Sequence, residues 1–242
     1  LGPQFSNDQV REFLDATGAV YQQFDDAGEL CHHVAELIAD EKVIGWMQGR
    51  MEFGPRALGG RSILGDARST RMQSVMNLKI KFRESFRPFA PSVLKERASD
   101  FFEMDCESPY MLLVAPVKEE RRVKATDEER ELWGIELLNV PRSEIPAITH
   151  VDYSARIQTV SRETNPDYHA LIKAFEDKTG FGIVVNTSFN VRGEPIVNTP
   201  ENAFNCFMGT ELDKLVIGNC YLDKKIQDSN LKKDYSDKFE LD

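Results

Sequence analysis

The segment Val43–Arg68, VIGWMQGRMEFGPRALGGRSILGDAR, sets the reading of this chain. Val43 to Met47 is a short apolar run that reads as a buried strand and stops at Gln48-Gly49-Arg50. Gly54-Pro55 then opens a short helical turn carrying Arg56, Gly59-Gly60 breaks it, and Ser62 to Leu64 resumes as a strand. A strand that hands over to a glycine-rich loop is where α/β proteins gather ligands. The expected class is therefore α/β (α+β), a sheet flanked by helices.

The same loop is cationic. With the following NLKIKFRESFRPFAPS (Asn77–Ser92), the window Arg50–Ser92 holds nine basic residues: Arg50, Arg56, Arg61, Arg68, Arg71, Lys79, Lys81, Arg83 and Arg87. Only Glu52, Asp66 and Glu84 oppose them, so the window carries +6 while the whole chain carries −10. Positive charge broken up by Gly and Pro, rather than strung along one solvated helix, points to a pocket for a small polyanion. Arginine suits that task because its planar fork meets phosphate or carboxylate oxygens two at a time.

The chain has 242 residues and 27.5 kDa, with 41% apolar residues, enough for one large domain or two small ones. No apolar run approaches the roughly eighteen residues of a membrane helix, and nothing reads as a signal peptide. Cys31, Cys106, Cys206 and Cys220 are scattered without a CxxC pair, which predicts reduced thiols and a cytoplasmic protein. The acidic total argues against a general nucleic-acid coat. The chain enters its helical pattern without an initiating Met, as expected of a piece of a longer polypeptide or of a processed terminus.

Further along, periodicity predicts helices from Ser6 or Asn7 to about Thr17, Ala27 to Asp40, Ser69 to Phe82, Pro166 to Thr179 and Pro200 to Met208. Strands are predicted near Ala19–Gln23 and at Met111–Val117, Ile157–Val160, Ile183–Val185 and Leu215–Ile217. Pro88 and Pro91 stop the third helix and hold Arg87 between rigid neighbours. Between Lys118 and Glu131 eleven of fourteen residues are charged, which reads as an exposed helix or lid-like excursion. From Asp223 onward polarity dominates, with Leu231, Tyr235 and Phe239 at four-residue spacing, a terminal helix or a loose tail.

A second candidate site is Asn186-Thr187-Ser188-Phe189-Asn190-Val191-Arg192-Gly193, where a buried strand ends in amides, hydroxyls and an arginine. Asn and Ser also build turns, so a purely structural loop is the competing reading. His32, His33, His150 and His169 have no carboxylate at ligand spacing, so no metal site built by this chain is expected. No GxxxxGK[ST] or GxSxG motif is present, so side chains rather than a glycine cradle must hold any phosphate.

GRMEFGPRALGGRSIL, FRESFRPFAPSVL, SPYM (Ser108–Met111), ARIQTV (Ala155–Val160) and NTSFNVRGEPIV (Asn186–Val197) together resemble the C-terminal domain of the O-carbamoyltransferases. These include the nodulation-factor, cephamycin and aminoglycoside carbamoyltransferases. The resemblance implies a YrdC-like twisted mixed sheet over residues 1–222, followed by a polar tail over 223–242. It implies an activity too: carbamoyl adenylate made from carbamoyl phosphate and ATP, with Mg²⁺ carried on the nucleotide. It implies a partner, a preceding Kae1-like domain of the same polypeptide that holds iron and passes the carbamoyl group to an acceptor hydroxyl.

Carried over by position, the resemblance puts Arg50, Arg56 and Arg61 along the anionic site, and Lys79, Arg83 and Arg87 around the phosphates. Asn186, Ser188, Asn190 and Arg192 would hold the adenylate end, with Arg156 reaching the same pocket, and Arg61, Arg83 and Arg192 closest to the chemistry. Two positions depart from the family pattern: Ile157 stands where Pro is expected, and Gly60 where Asn is expected. The alternative is a non-catalytic YrdC-like module that binds a nucleotide or double-stranded RNA.

Overall fold

The computed structural model describes residues 2–124, 126–134, 136 and 140–232. Its nine described strands are β1 (Gln22–Gln23), β2 (Ile44–Met47), β3 (Arg61–Asp66), β4 (Ala90–Leu94), β5 (Leu113–Pro116), β6 (Ser154–Val160), β7 (Ile183–Ser188), β8 (Lys214–Ile217) and β9 (Cys220–Asp223). They form one mixed sheet in the order β1-β9-β8-β2-β3-β7-β4-β6-β5. Only β2–β8 and β4–β6 pair in parallel; the other neighbours are antiparallel. The mixed sheet with flanking helices is the fold class read from the sequence.

Apolar side chains leave both faces of the central strands, which is why these strands read as unbroken hydrophobic runs. In β7, Ile183 and Val185 enter one core and Val184 the other. The first core is closed by α1 (Asn7–Thr17), α3 (Met72–Lys79) and α7 (Pro200–Gly209), through Leu14, Met76 and Phe207. The second is closed by α2 (Ala27–Ala39) packed on α6 (Pro166–Thr179), through Val34, Ile38 and Phe175. Two single-turn helices, α4 (Ala98–Phe101) and α5 (Asp127–Arg130), follow β4 and β5 in the chain. The helix ends carry the expected stops. Ser6 caps α1 in a capping box, Asn165 caps α6 ahead of Pro166, and Gly180 ends α6 at φ 78°.

Several boundaries differ from the sequence reading. The third helix ends at Lys79, not Phe82. Phe82 takes φ 48°, and the amides of Lys81 and Arg83 turn back to the carbonyls of Met76 and Asn77. Lys79 and Arg83 therefore do not share a helical face. No helical turn forms at Gly54–Arg56, where the chain runs through irregular bends. Strand β5 is shorter than Met111–Val117 because Met111 reverses at φ 56°, and β6 starts before Ile157. Strand β4 was hidden by its proline: Pro91 is tolerated because pairing with β6 starts only at Ser92. Strand β9 went unread altogether. Beyond it come two 3₁₀ turns, Lys224–Ile226 and Ser229–Leu231, while Tyr235 and Phe239 lie outside the described residues. Among the described residues no helix is long and apolar enough to cross a membrane.

Candidate functional site

Two connections meet at the end of β7. The link from α3 to β4 brings Lys81, Arg83 and Arg87; the exit of β7 brings Ser188, Asn190, Arg192 and Glu194. Together they line an open bay of about 450 Å³. The sharp turn at Phe82 is what drives Lys81 inward between two apolar neighbours. Its Nζ donates to the Ser188 and Asn190 carbonyls and to Asn190 Oδ1 at 2.7 Å. Ser188 Oγ donates to that same Oδ1 at 2.7 Å, and Asn190 Nδ2 to the Glu194 carbonyl at 2.6 Å.

Charge in the bay is crowded and partly dry. Burial, then the Arg83 guanidinium, pushes the Lys81 ammonium down to about 7. Arg83 is pushed down to about 10 by burial and by Arg87. It is held in place as well: its Nε donates to Asn77 Oδ1 at 2.6 Å, and its guanidinium lies 4.9 Å from the Phe89 ring centre. Arg87 pairs with Glu84 at 2.9 Å, a half-exposed contact worth little in stability. Four cations share the bay with Glu194 and the Glu84 beside Arg87, an excess of positive charge that a bound polyanion relieves.

Behind the bay lies a buried amide network. Asn186 Nδ2 donates to the Ala57 carbonyl at 3.0 Å and to Ser92 Oγ and Gln158 Oε1 at 2.9 Å, while Gln158 Nε2 donates to the Leu58 carbonyl at 2.9 Å. Asn186 is thus the tie between β7 and the loop leading into β3, and does not line the bay. Register places Arg156 on the face of β6 that carries Gln158, level with Ala90 and Asn186. Arg156 is lowered by burial and by the nearby charge of Arg56, which stands exposed on that loop. Burial, with Arg156 adding to it, also lowers His150.

Like Asn186, the expected site residues Arg56 and Arg156 are not among those lining the bay, and three more fall elsewhere. Arg61 has no exposed surface, and its guanidinium donates to the carbonyls of Pro3, Gln48, Gly49 and Gly60 at 2.9–3.3 Å. Both terminal nitrogens are taken up by backbone carbonyls while the buried Nε has no partner, so Arg61 ties the loop to the sheet and does not line the bay. Lys79 sits exposed at the end of α3, outside the bay lining. Arg50 lines a separate cleft of about 510 Å³ with Glu52, Tyr110, Gln158 and Asn165. The residue missed is Lys81, which counted only as charge because the helix was read through it. Gly60, the departure from the family pattern, is accounted for here: a Cβ would stand 2.9 Å from the Arg50 carbonyl and 3.0 Å from Glu52 Oε2. Among the described residues no three His, Cys, Asp or Glu side chains are grouped to hold a metal ion.

Comparison with known proteins extends this geometry. Residues 35–224 match the family profile described as "Carbamoyltransferase C-terminus". An uncharacterized protein of Synechocystis sp. is 59% identical over all of this chain and 40% of its own length. Nodulation protein NolNO of Sinorhizobium fredii is 44% identical over 93% of this chain and 30% of its own. The 3'-hydroxymethylcephem-O-carbamoyltransferase of Streptomyces clavuligerus is 34% identical over 73% of this chain and 32% of its own. The chain therefore spans 40% or less of these relatives. Among solved structures, P. abyssi Sua5 complexed with L-threonine superposes with a TM-score of 0.54 over 79% of this chain and 47% of its own, at 13% identity. That is a likeness of fold, the YrdC-like one.

Proposed function

Since the chain belongs to the carbamoyltransferase C-terminal family, we propose that its cationic bay binds carbamoyl phosphate and ATP and forms carbamoyl adenylate. The observation that carries this reading is the meeting of Lys81, Arg83, Arg87 and Arg192 around one cavity whose rim is Ser188 and Asn190. Water cleaves carbamoyl phosphate to carbamate and phosphate. A carbamate oxygen then attacks the α-phosphorus of ATP; the O–Pα bond forms, the Pα–O–Pβ bond breaks, and pyrophosphate leaves with its Mg²⁺. No nucleophile from the protein is required. The work left to the side chains is to hold two polyanions in line and to neutralise charge that grows on the leaving pyrophosphate. Fixed guanidinium groups such as Arg83 do this without reorganising at the moment of reaction.

Transfer of the carbamoyl group to an acceptor hydroxyl is assigned to the Kae1-like domain that the family resemblance implies. The adenylation step is tested by carbamoyl-phosphate-dependent exchange of labelled pyrophosphate into ATP. Exchange that needs both substrates is expected. Folded protein that supports none would overturn the proposal, and salt-sensitive binding of double-stranded RNA without exchange would replace it with a non-catalytic role.

A further inference from the structure

Glu52 is the sole acid between Gly49 and Arg61, in a loop otherwise rich in arginine. Its Oε1 accepts from three backbone amides: Leu58 at 2.6 Å, Gly60 at 2.6 Å and Arg61 at 3.3 Å. A carboxylate in such a nest of N–H groups makes charge-assisted bonds, about twice as strong as neutral ones. From the other side, Asn186 and Gln158 donate to the carbonyls of Ala57 and Leu58. The loop is therefore clamped at residue 52 and again from 57 to 61. Between the clamps stands an exposed apex, Phe53-Gly54-Pro55-Arg56.

Arg56 is covalently next to clamped Ala57, and close enough to Arg156 for its charge to be felt there. A four-residue apex pinned at both ends, one member a proline, has few conformations open to it. Removing Glu52 leaves three amides without their acceptor, including that of buried Gly60, and frees one end of the apex. Gly60 takes part by having no side chain, since a Cβ there would press on Glu52 Oε2.

We infer that Glu52 is a positioning residue: by capturing the amides of Leu58, Gly60 and Arg61 it presents Arg56, beside Arg156, to the bound anion. This rests on reading the site as a polyphosphate site that extends from the bay to this loop, since Arg56 and Arg156 stand outside the bay lining and Glu52 borders the cleft beside Arg50. The test joins a double-variant cycle to amide hydrogen exchange on the same chain, with ATP as the probe. Glu52→Ala is expected to weaken ATP binding about tenfold where Arg56 is present, the worth of one charge-assisted bond. In an Arg56→Ala background it should change binding less than about twofold. Glu52→Gln, which keeps an acceptor oxygen, should recover most of the affinity. Exchange at the Leu58, Gly60 and Arg61 amides should rise at least about a hundredfold in Glu52→Ala. Additive losses in the double variant, or unchanged amide protection, would overturn the inference. If the unsubstituted chain binds no ATP, the anionic reading of the bay falls, and with it the task given to Arg56. Amide exchange still reports separately whether Glu52 is the clamp.

Discussion

Lys81 gives the bay a measurable proton signature. Its ammonium, ordinarily at 10.5, is pushed down to about 7 by burial and by Arg83. At pH 8 about one-tenth of empty bays would therefore carry a charged Lys81. Bound polyphosphate favours the ammonium strongly, so binding should draw about 0.9 proton from solution at that pH. The same linkage lowers affinity by up to about tenfold for each pH unit above 7. The assay is calorimetric titration with ATP at pH 8 in buffers of different ionisation enthalpy, comparing the chain with Lys81→Met. The difference between the two removes the ligand's own protons from the measurement. Stability without ligand shifts the opposite way. The folded value lies below the unfolded one, so from about 7 to 10.5 the unfolded chain holds more protons, and this group makes stability rise with pH across that window. Equal proton uptake by chain and variant, or none by either, would refute the reasoning.

Other substitutions separate chemistry from scaffold. Arg83→Ala and Arg192→Ala should each cost about a hundredfold or more in pyrophosphate exchange, the scale of losing one transition-state donor. The loss of stability should stay near 1 kcal/mol in urea denaturation. Arg61→Ala should act the other way round: the buried carbonyls it serves lose their donor, and about 3 kcal/mol or more of stability goes with it. Gly59→Ala places a Cβ 2.3 Å from the Tyr168 ring at φ 105°, so thermal unfolding should show a loss of about 2–4 kcal/mol.

The sequence disclosed the fold where local rules and burial agree. Ser6, Asn165, Pro166 and Gly180 mark helix ends as capping chemistry dictates, and the two-faced burial of β7 gives its unbroken apolar run. It concealed β4, because Pro91 argues against a strand unless one knows that pairing with β6 starts a residue later. Of the residues expected at the site, Arg83, Arg87, Ser188, Asn190 and Arg192 do meet around one bay. Charge could not tell which cations face the bay. Arg61 and Lys81 are both buried bases that donate to backbone carbonyls, yet Lys81 lines the bay and Arg61 does not. The difference is made by a reversal at Phe82, a φ value that no residue pattern announces. Glu52 was read as background charge for the same reason: its meaning lies in amides six to nine residues away.

A crystal structure of the chain soaked with ATP and carbamoyl phosphate tests the central claim most directly. Phosphate oxygens are expected within hydrogen-bond reach of Lys81, Arg83 and Arg192. Phosphates bound in the cleft beside Arg50 and Tyr110, with the cationic bay left to solvent, would contradict it.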